Sequence, residues 1–135
     1  SRPDGMTLSL LHAFCHGLTA GYPVQQGVAH AVIAPHALAY LFERVDGRRR
    51  LLADGLGVDT AGVSDDELAD AVVSRVAEIR DALGLPSSIR ELDGISQSDL
   101  SDIAAYTLDD SMMGYAPADL DPTVEDLEGV LRDAW

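Results

Sequence analysis

Lysine is missing from this sequence, cysteine occurs once, and no apolar stretch is long enough to cross a membrane. The lone Cys15 excludes an internal disulfide and suits a reducing, cytoplasmic setting. The longest apolar run, residues 28–42, is interrupted by His30, Pro35 and His36 and falls short of the roughly 18 uninterrupted positions expected of a membrane span. The start, Ser-Arg-Pro-Asp-Gly-Met, has no basic, apolar and small-residue succession of a signal peptide, and without an initiating Met it reads either as an expression scar or as the cut end of a longer chain. With no Lys, all nine basic residues are Arg, against 23 acids, 17 of them Asp, for a net charge of −14. Such a surface would repel a phosphate backbone, which argues against nucleic-acid binding. Asp is a poor helix former, so helix propensity does not explain its abundance. The self-repulsion of so acidic a surface is screened by salt within a Debye length of about 3 Å at 1 M. The composition therefore suits a high-salt cytoplasm, an ordinary acidic protein being the plainer alternative.

What is present is enough for a folded domain: 135 residues, 47% of them apolar, can bury a real core. Residues 6–18 form a mostly apolar segment stopped by Thr19-Ala20-Gly21-Tyr22-Pro23. Residues 28–42 are apolar nearly all round, which predicts a helix buried between others, with Pro35 imposing a kink or break. A short helix follows at 48–56, closed by Gly57. Ser64-Asp65-Asp66-Glu67 has capping-box spacing and opens a long helix with Leu68, Val72, Val76, Ile79 and Leu83 on one face, ended by Gly84-Leu85-Pro86. Ser96-Gln97-Ser98-Asp99 caps a helix carrying Leu100, Ile103, Ala104 and Leu108. Thr123-Val124-Glu125-Asp126 caps a last one carrying Val124, Leu127, Val130, Leu131 and Trp135. A Gly- and Pro-containing loop lies between them at 114–122. No convincing strand, repeat or linker is visible, so the expected fold is an all-α bundle of about six to eight helices over residues 1–135 as a single helical domain.

All four histidines fall within the first 36 residues. His12 and His16 are four apart, which puts both imidazoles on one helix face where they can share a metal or a substrate. Taken alone, that spacing does not separate a metal site from a packed pair. His30 and His36 are six apart and point to different sides of one helix, so they read as hydrogen-bonded packing residues unless Pro35 breaks the helix between them. Cys15 reads as an inert buried thiol and Arg48-Arg49-Arg50 as a solvated helix start offset by nearby acids.

The stretch Leu11-His12-Ala13-Phe14-Cys15-His16-Gly17-Leu18, with Gly27 and then His30-Ala31-Val32-Ile33-Ala34-Pro35-His36, resembles the signature of the iron-containing alcohol dehydrogenases, and most of all their maleylacetate-reductase-type branch. The resemblance continues through Leu51-Leu52-Ala53-Asp54-Gly55-Leu56-Gly57 and Ile79-Arg80-Asp81-Ala82-Leu83-Gly84-Leu85-Pro86 to the last helix. It implies the helical, dehydroquinate-synthase-like C-terminal half of a two-domain, metal-dependent NAD(P) oxidoreductase acting on a small alcohol or ketone. By that resemblance His12 is a metal ligand for Fe²⁺ or Zn²⁺, and His16 stands beside the substrate as a catalytic proton-relay residue. The position fourteen residues after His12, a histidine ligand in the family, is here Gln26. Its amide oxygen is a harder and weaker donor than imidazole.

The remaining ligands and the Gly-rich nucleotide turn belong, by the same resemblance, to a missing N-terminal nucleotide-binding domain. Gly55-Leu56-Gly57 follows a helix and opens no strand-to-helix turn. The isolated chain is thus expected to bind metal weakly or not at all and to oxidise no alcohol by itself. Exposed apolar area around Leu11, Leu18 and Val24 is expected to support self-association. The competing expectation is a non-catalytic helical interaction or small-molecule-binding module that has lost its metal, as Gln26 would permit.

Overall fold

The computed structural model of the protein describes residues 9–44, 49–92, 94–110 and 122–135. These residues form six α-helices and two single 3₁₀ turns, with no strand among them. The helices are α1 (Ser9–Thr19), α2 (Gln26–Arg44), α3 (Arg49–Gly55), α4 (Asp65–Ala82), α5 (Leu100–Asp109) and α6 (Val124–Ala134). The all-α architecture read from the sequence is what is found. The loop expected at 114–122 lies outside the described residues apart from Pro122, as does Arg48 of the arginine run.

Three helix starts form where local chemistry places them. Ser64 Oγ accepts the Glu67 backbone N–H at 3.3 Å to open α4, and Thr123 Oγ1 accepts that of Asp126 at 3.1 Å to open α6. Ser96 caps the 3₁₀ turn Gln97–Asp99 that leads into α5, and the Asp99 carboxylate returns a bond to the Ser96 N–H at 2.8 Å. At the other end of α4 the chain turns away at Gly84, whose φ of 70° a residue with a side chain rarely adopts.

Helix α2 is the centre of the bundle, packed against α1, α4 and α6, while α5 lies against both α1 and α6 and α3 lies on α4. Its expected burial is met: Val32, Ile33, Ala37 and Leu41 are fully enclosed. Of the kink or break expected at Pro35, the break is absent: α2 is continuous through it. A proline inside a helix costs about 3 kcal/mol because it has no N–H for the preceding turn and its ring crowds that turn's carbonyl. Enclosure by three neighbouring helices outweighs this, each fully buried aliphatic side chain contributing roughly 1.5–3 kcal/mol.

The core also takes in Leu11 and Leu18, which are 7% and 0% exposed. The apolar surface expected there for self-association is therefore not a surface, because α1 turns these side chains toward α2 and α5. Conversely, the apolar row of α4 outruns its neighbours: Leu68 and Val72 are buried, whereas Ile79 and Leu83 are 37% and 68% exposed. No helix of the described residues is long and apolar enough to cross a membrane.

The close approach of α1 to α5 sets up the site. It depends on Gly17, where a β-carbon would collide with Thr107 Oγ1 and stand 3.2 Å from both Ile103 Cγ2 and the Ile103 carbonyl oxygen. Thr107, wholly buried, turns its hydroxyl back to the Ile103 carbonyl at 2.8 Å, so no polar atom is stranded at the crossing. Only glycine allows the two backbones to meet here.

Candidate functional site

His12 and His16 project from α1 one turn apart, both half-buried. They do not meet the same partner. His12 packs against His30 of α2, with ring centroids 5.1 Å apart and planes at 86°. His16 reaches the other way, and its Nδ1 lies 2.8 Å from Oδ2 of Asp110, the residue that follows the last turn of α5. The Asp110 side chain is only 9% exposed, while that of His16 is 41% exposed. A carboxylate so placed accepts a hydrogen bond from Nδ1–H, fixes the ring's orientation and leaves Nε2 as the nitrogen available for chemistry.

Gln26 is the first residue of α2 and is exposed. Its backbone carbonyl accepts a hydrogen bond from the Cys15 thiol at 3.4 Å, tying the start of α2 to α1. Cys15 itself is fully enclosed, and burial pushes its thiol above the ordinary range, which makes it the inert packing residue expected. His30 keeps the helix-packing role read from its spacing, and the side chain it packs against is His12. Burial holds its imidazole below the usual value, the nearby His12 and His16 adding to this and hydrogen bonding to the Gln26 backbone opposing it. His36 lies apart from the other three, facing α6 in a cleft with Tyr40, Arg44, Asp126 and Asp133. Burial lowers its basicity, with Asp133 opposing and Arg80 adding to the effect. Arg50 is a surface residue, bonded to the Thr60 carbonyl at 3.2 Å and 3.8 Å from Asp65.

The donors fit part of a site for a divalent first-row metal, since imidazole nitrogen suits Fe²⁺ and Zn²⁺. They do not complete one: among the described residues no group of three or more His, Cys, Asp or Glu side chains is placed to hold an ion. A nicotinamide dinucleotide does not fit them. The described residues contain no strand, hence no glycine turn between strand and helix to cradle a pyrophosphate, and Gly55-Leu56-Gly57 sits where α3 ends.

Two members of this cluster were not legible as functional from the sequence. Asp110 stands 94 positions from His16 and is one of 17 aspartates, so nothing local distinguishes it. His30 carried a weak signal, one turn after Gln26 on the same helix, but its contact with His12 depends on how α1 crosses α2.

Residues 5–135 match the model of the Fe-containing alcohol dehydrogenase family, C-terminal. Lactaldehyde reductase of Escherichia coli (strain K12) is 31% identical over 128 residues, covering 95% of this chain and 33% of that protein. Maleylacetate reductase of Pseudomonas knackmussii is also 31% identical, over 130 residues, covering 96% of this chain and 32% of that protein. Equal identity to both does not single out the maleylacetate-reductase branch that the histidine block resembles. Among solved structures, an alcohol dehydrogenase from Oenococcus oeni superposes with a TM-score of 0.83 at 26% identity, over 93% of this chain and 32% of that one. The chain thus spans about a third of the length of these relatives. The match along nearly its whole length means that the chain belongs to the Fe-containing alcohol dehydrogenase family and corresponds to its C-terminal part.

Proposed function

We propose that this chain is the metal- and substrate-side helical domain of an NAD(P)-dependent oxidoreductase that moves hydride between a small alcohol or carbonyl substrate and nicotinamide. The observation that carries the proposal is the His16–Asp110 pair, an oriented imidazole held at 2.8 Å by a nearly buried carboxylate and open on its other side. A histidine in this arrangement can take a proton at Nε2 from an alcohol hydroxyl, or return it to a carbonyl oxygen, without rotating its ring. Asp110 keeps the proton on Nδ1 and stabilises the imidazolium that forms. His12, one turn earlier, is the proposed metal-holding residue on α1, with Gln26 at the family's second position. A bound Fe²⁺ or Zn²⁺ would supply Lewis-acid polarisation of the substrate oxygen. The nucleotide site and the remaining ligands are proposed to come from a nucleotide-binding domain outside these residues.

A chimera tests this. The helical third of Escherichia coli lactaldehyde reductase is replaced by this chain, and NAD(H)-linked turnover of lactaldehyde is measured for the parent chimera and for His16→Ala. Loss of a general acid–base costs on the order of 10²–10⁴-fold in rate. A folded chimera whose turnover is indifferent to His16 would sink the proposal. A second reading, a helical binding module without catalysis, rests on Gln26 standing where the family has a histidine ligand. It predicts a folded chimera with no turnover at all.

A further inference from the structure

The resemblance to the family puts the two metal positions of this half at His12 and Gln26, yet the residue that meets His12 is His30. We propose that His12 and His30 together form this chain's half of the divalent-metal site, with His30 standing in for the family's second histidine one turn further along α2. The inference rests on the functional reading above and changes which side chains carry it.

The geometry favours it in two ways. An imidazole nitrogen binds Zn²⁺ at about 2.0–2.1 Å; adding roughly 1.2 Å from nitrogen to ring centre, two imidazoles on one tetrahedral ion have centroids about 5.2 Å apart. The two rings already stand at 5.1 Å, on two different helices. Second, the crossing that sets the distance is clamped: Cys15, between the two histidines of α1, bonds the Gln26 carbonyl at 3.4 Å, and Ala29 beside His30 is fully enclosed. Ligands on packed helices keep their spacing better than ligands on loops. Gln26 has none of this support: it is exposed, and only its backbone is engaged. Two imidazoles leave at least two coordination positions for ligands from another part of the protein and for substrate.

The test is titration of this chain with Zn²⁺ alone, followed by two-bond ¹H–¹⁵N correlation of the histidine rings and by competition with a chromophoric chelator. The nitrogens of His12 and His30 should shift with one common midpoint. His30→Gln, nearly isosteric, should weaken binding by about tenfold or more, as should His12→Gln, while Gln26→Ala should change it less than about twofold. Circular dichroism identifies any variant that fails to fold, and the ring shifts of the unaltered chain decide the matter without one. Binding that depends on His12 and Gln26 but not on His30 would overturn this inference and leave the functional reading standing. Zn²⁺ that shifts neither ring would overturn the ligand pair and leave an edge-to-face aromatic contact only, while the functional reading, which draws its remaining ligands from outside these residues, is decided by the chimera.

Discussion

An imidazole that donates its Nδ1–H to a carboxylate in a hydrogen bond has one nitrogen left, and its usefulness depends on that carboxylate staying charged and in place. Asp110, 9% exposed and 2.8 Å from His16, is the residue on which this depends. In the chimera, Asp110→Asn should lower turnover by roughly 10–100-fold, because an amide can turn its NH₂ toward the ring and favour the wrong tautomer. Zn²⁺ affinity should stay the same. A variant with unchanged turnover would reduce the pair to a surface contact. His36 leads to a second expectation, about pH. Its folded basicity is lowered, chiefly by burial, so the folded state resists protonation that the unfolded state accepts near pH 6.5. Its contribution to stability is therefore complete above about pH 6.5 and is lost as pH falls through the lower folded value. His30 acts in the same direction. Urea midpoints in constant high salt should be lower at pH 5.5 than at pH 7.5, and His36→Gln should narrow the difference. The lowered carboxylates Glu91 and Asp126 act only in a more acid range, so they do not mimic this effect. An equal pH difference in wild type and variant would remove His36 as its source. At this scale little was readable beforehand. His12, His16 and Gln26 stood out by spacing and resemblance, whereas Asp110 and the role of His30 arise only from helix crossings.

Helices were far more legible than contacts, and the reason is locality. Ser64, Ser96 and Thr123 cap with groups three residues away, so three starts follow from short-range chemistry. The continuity of α2 through Pro35 was not legible, since it is imposed by α1, α4 and α6. Nor was the burial of Leu11 and Leu18, or the exposure of Leu83, because periodicity shows that a face exists and not how much of it a neighbour covers. The α1–α5 crossing gives the element-scale prediction. At Gly17 a methyl group would press on Thr107 Oγ1 and on the Ile103 carbonyl, and a backbone atom cannot rotate away. Gly17→Ala should cost about 1–3 kcal/mol of stability despite the better helix propensity of Ala, which is worth only about 1 kcal/mol in return. It should also displace His16 from Asp110, since the two elements that hold them are the ones forced apart. Chemical denaturation measures the first effect and the His16 ring ¹⁵N shifts the second. A more stable variant with unaltered shifts would show that the crossing has slack.

For the whole molecule the governing quantity is charge. Among the described residues five arginines are already paired with acids, including Arg44–Asp126 at 3.4 Å, Arg75–Glu78 at 3.3 Å and Arg80–Asp81 at 3.0 Å. Exposed pairs of this kind contribute about 0–1 kcal/mol each, too little to offset the repulsion among the remaining acids of a chain with net charge −14. Salt acts on both. It weakens the pairs and the favourable placing of Asp65, Asp66 and Glu67 in the first turn of α4, terms of roughly 0.3–1 kcal/mol that are confined to their own neighbourhoods. It also weakens every acid–acid repulsion within range, and these outnumber the attractions because acids exceed bases by 23 to 9. The second effect wins. Raising NaCl from about 0.1 M to 2 M shortens the screening length from about 10 Å to a few ångströms. The thermal midpoint should then rise, by several degrees for each 1–2 kcal/mol of repulsion removed. NaCl is the salt to use, because sulfate strengthens apolar burial in any protein and would raise the midpoint for a different reason. Replacing exposed acids remote from His12, His16 and His30 and outside these ion pairs, such as Asp70 by Asn and Glu43 by Gln, should raise the low-salt midpoint and flatten its salt dependence together. A midpoint that stays level between the two salt concentrations would mean that the acidic surface costs the fold nothing, and the expectation of a high-salt setting would lose its physical basis.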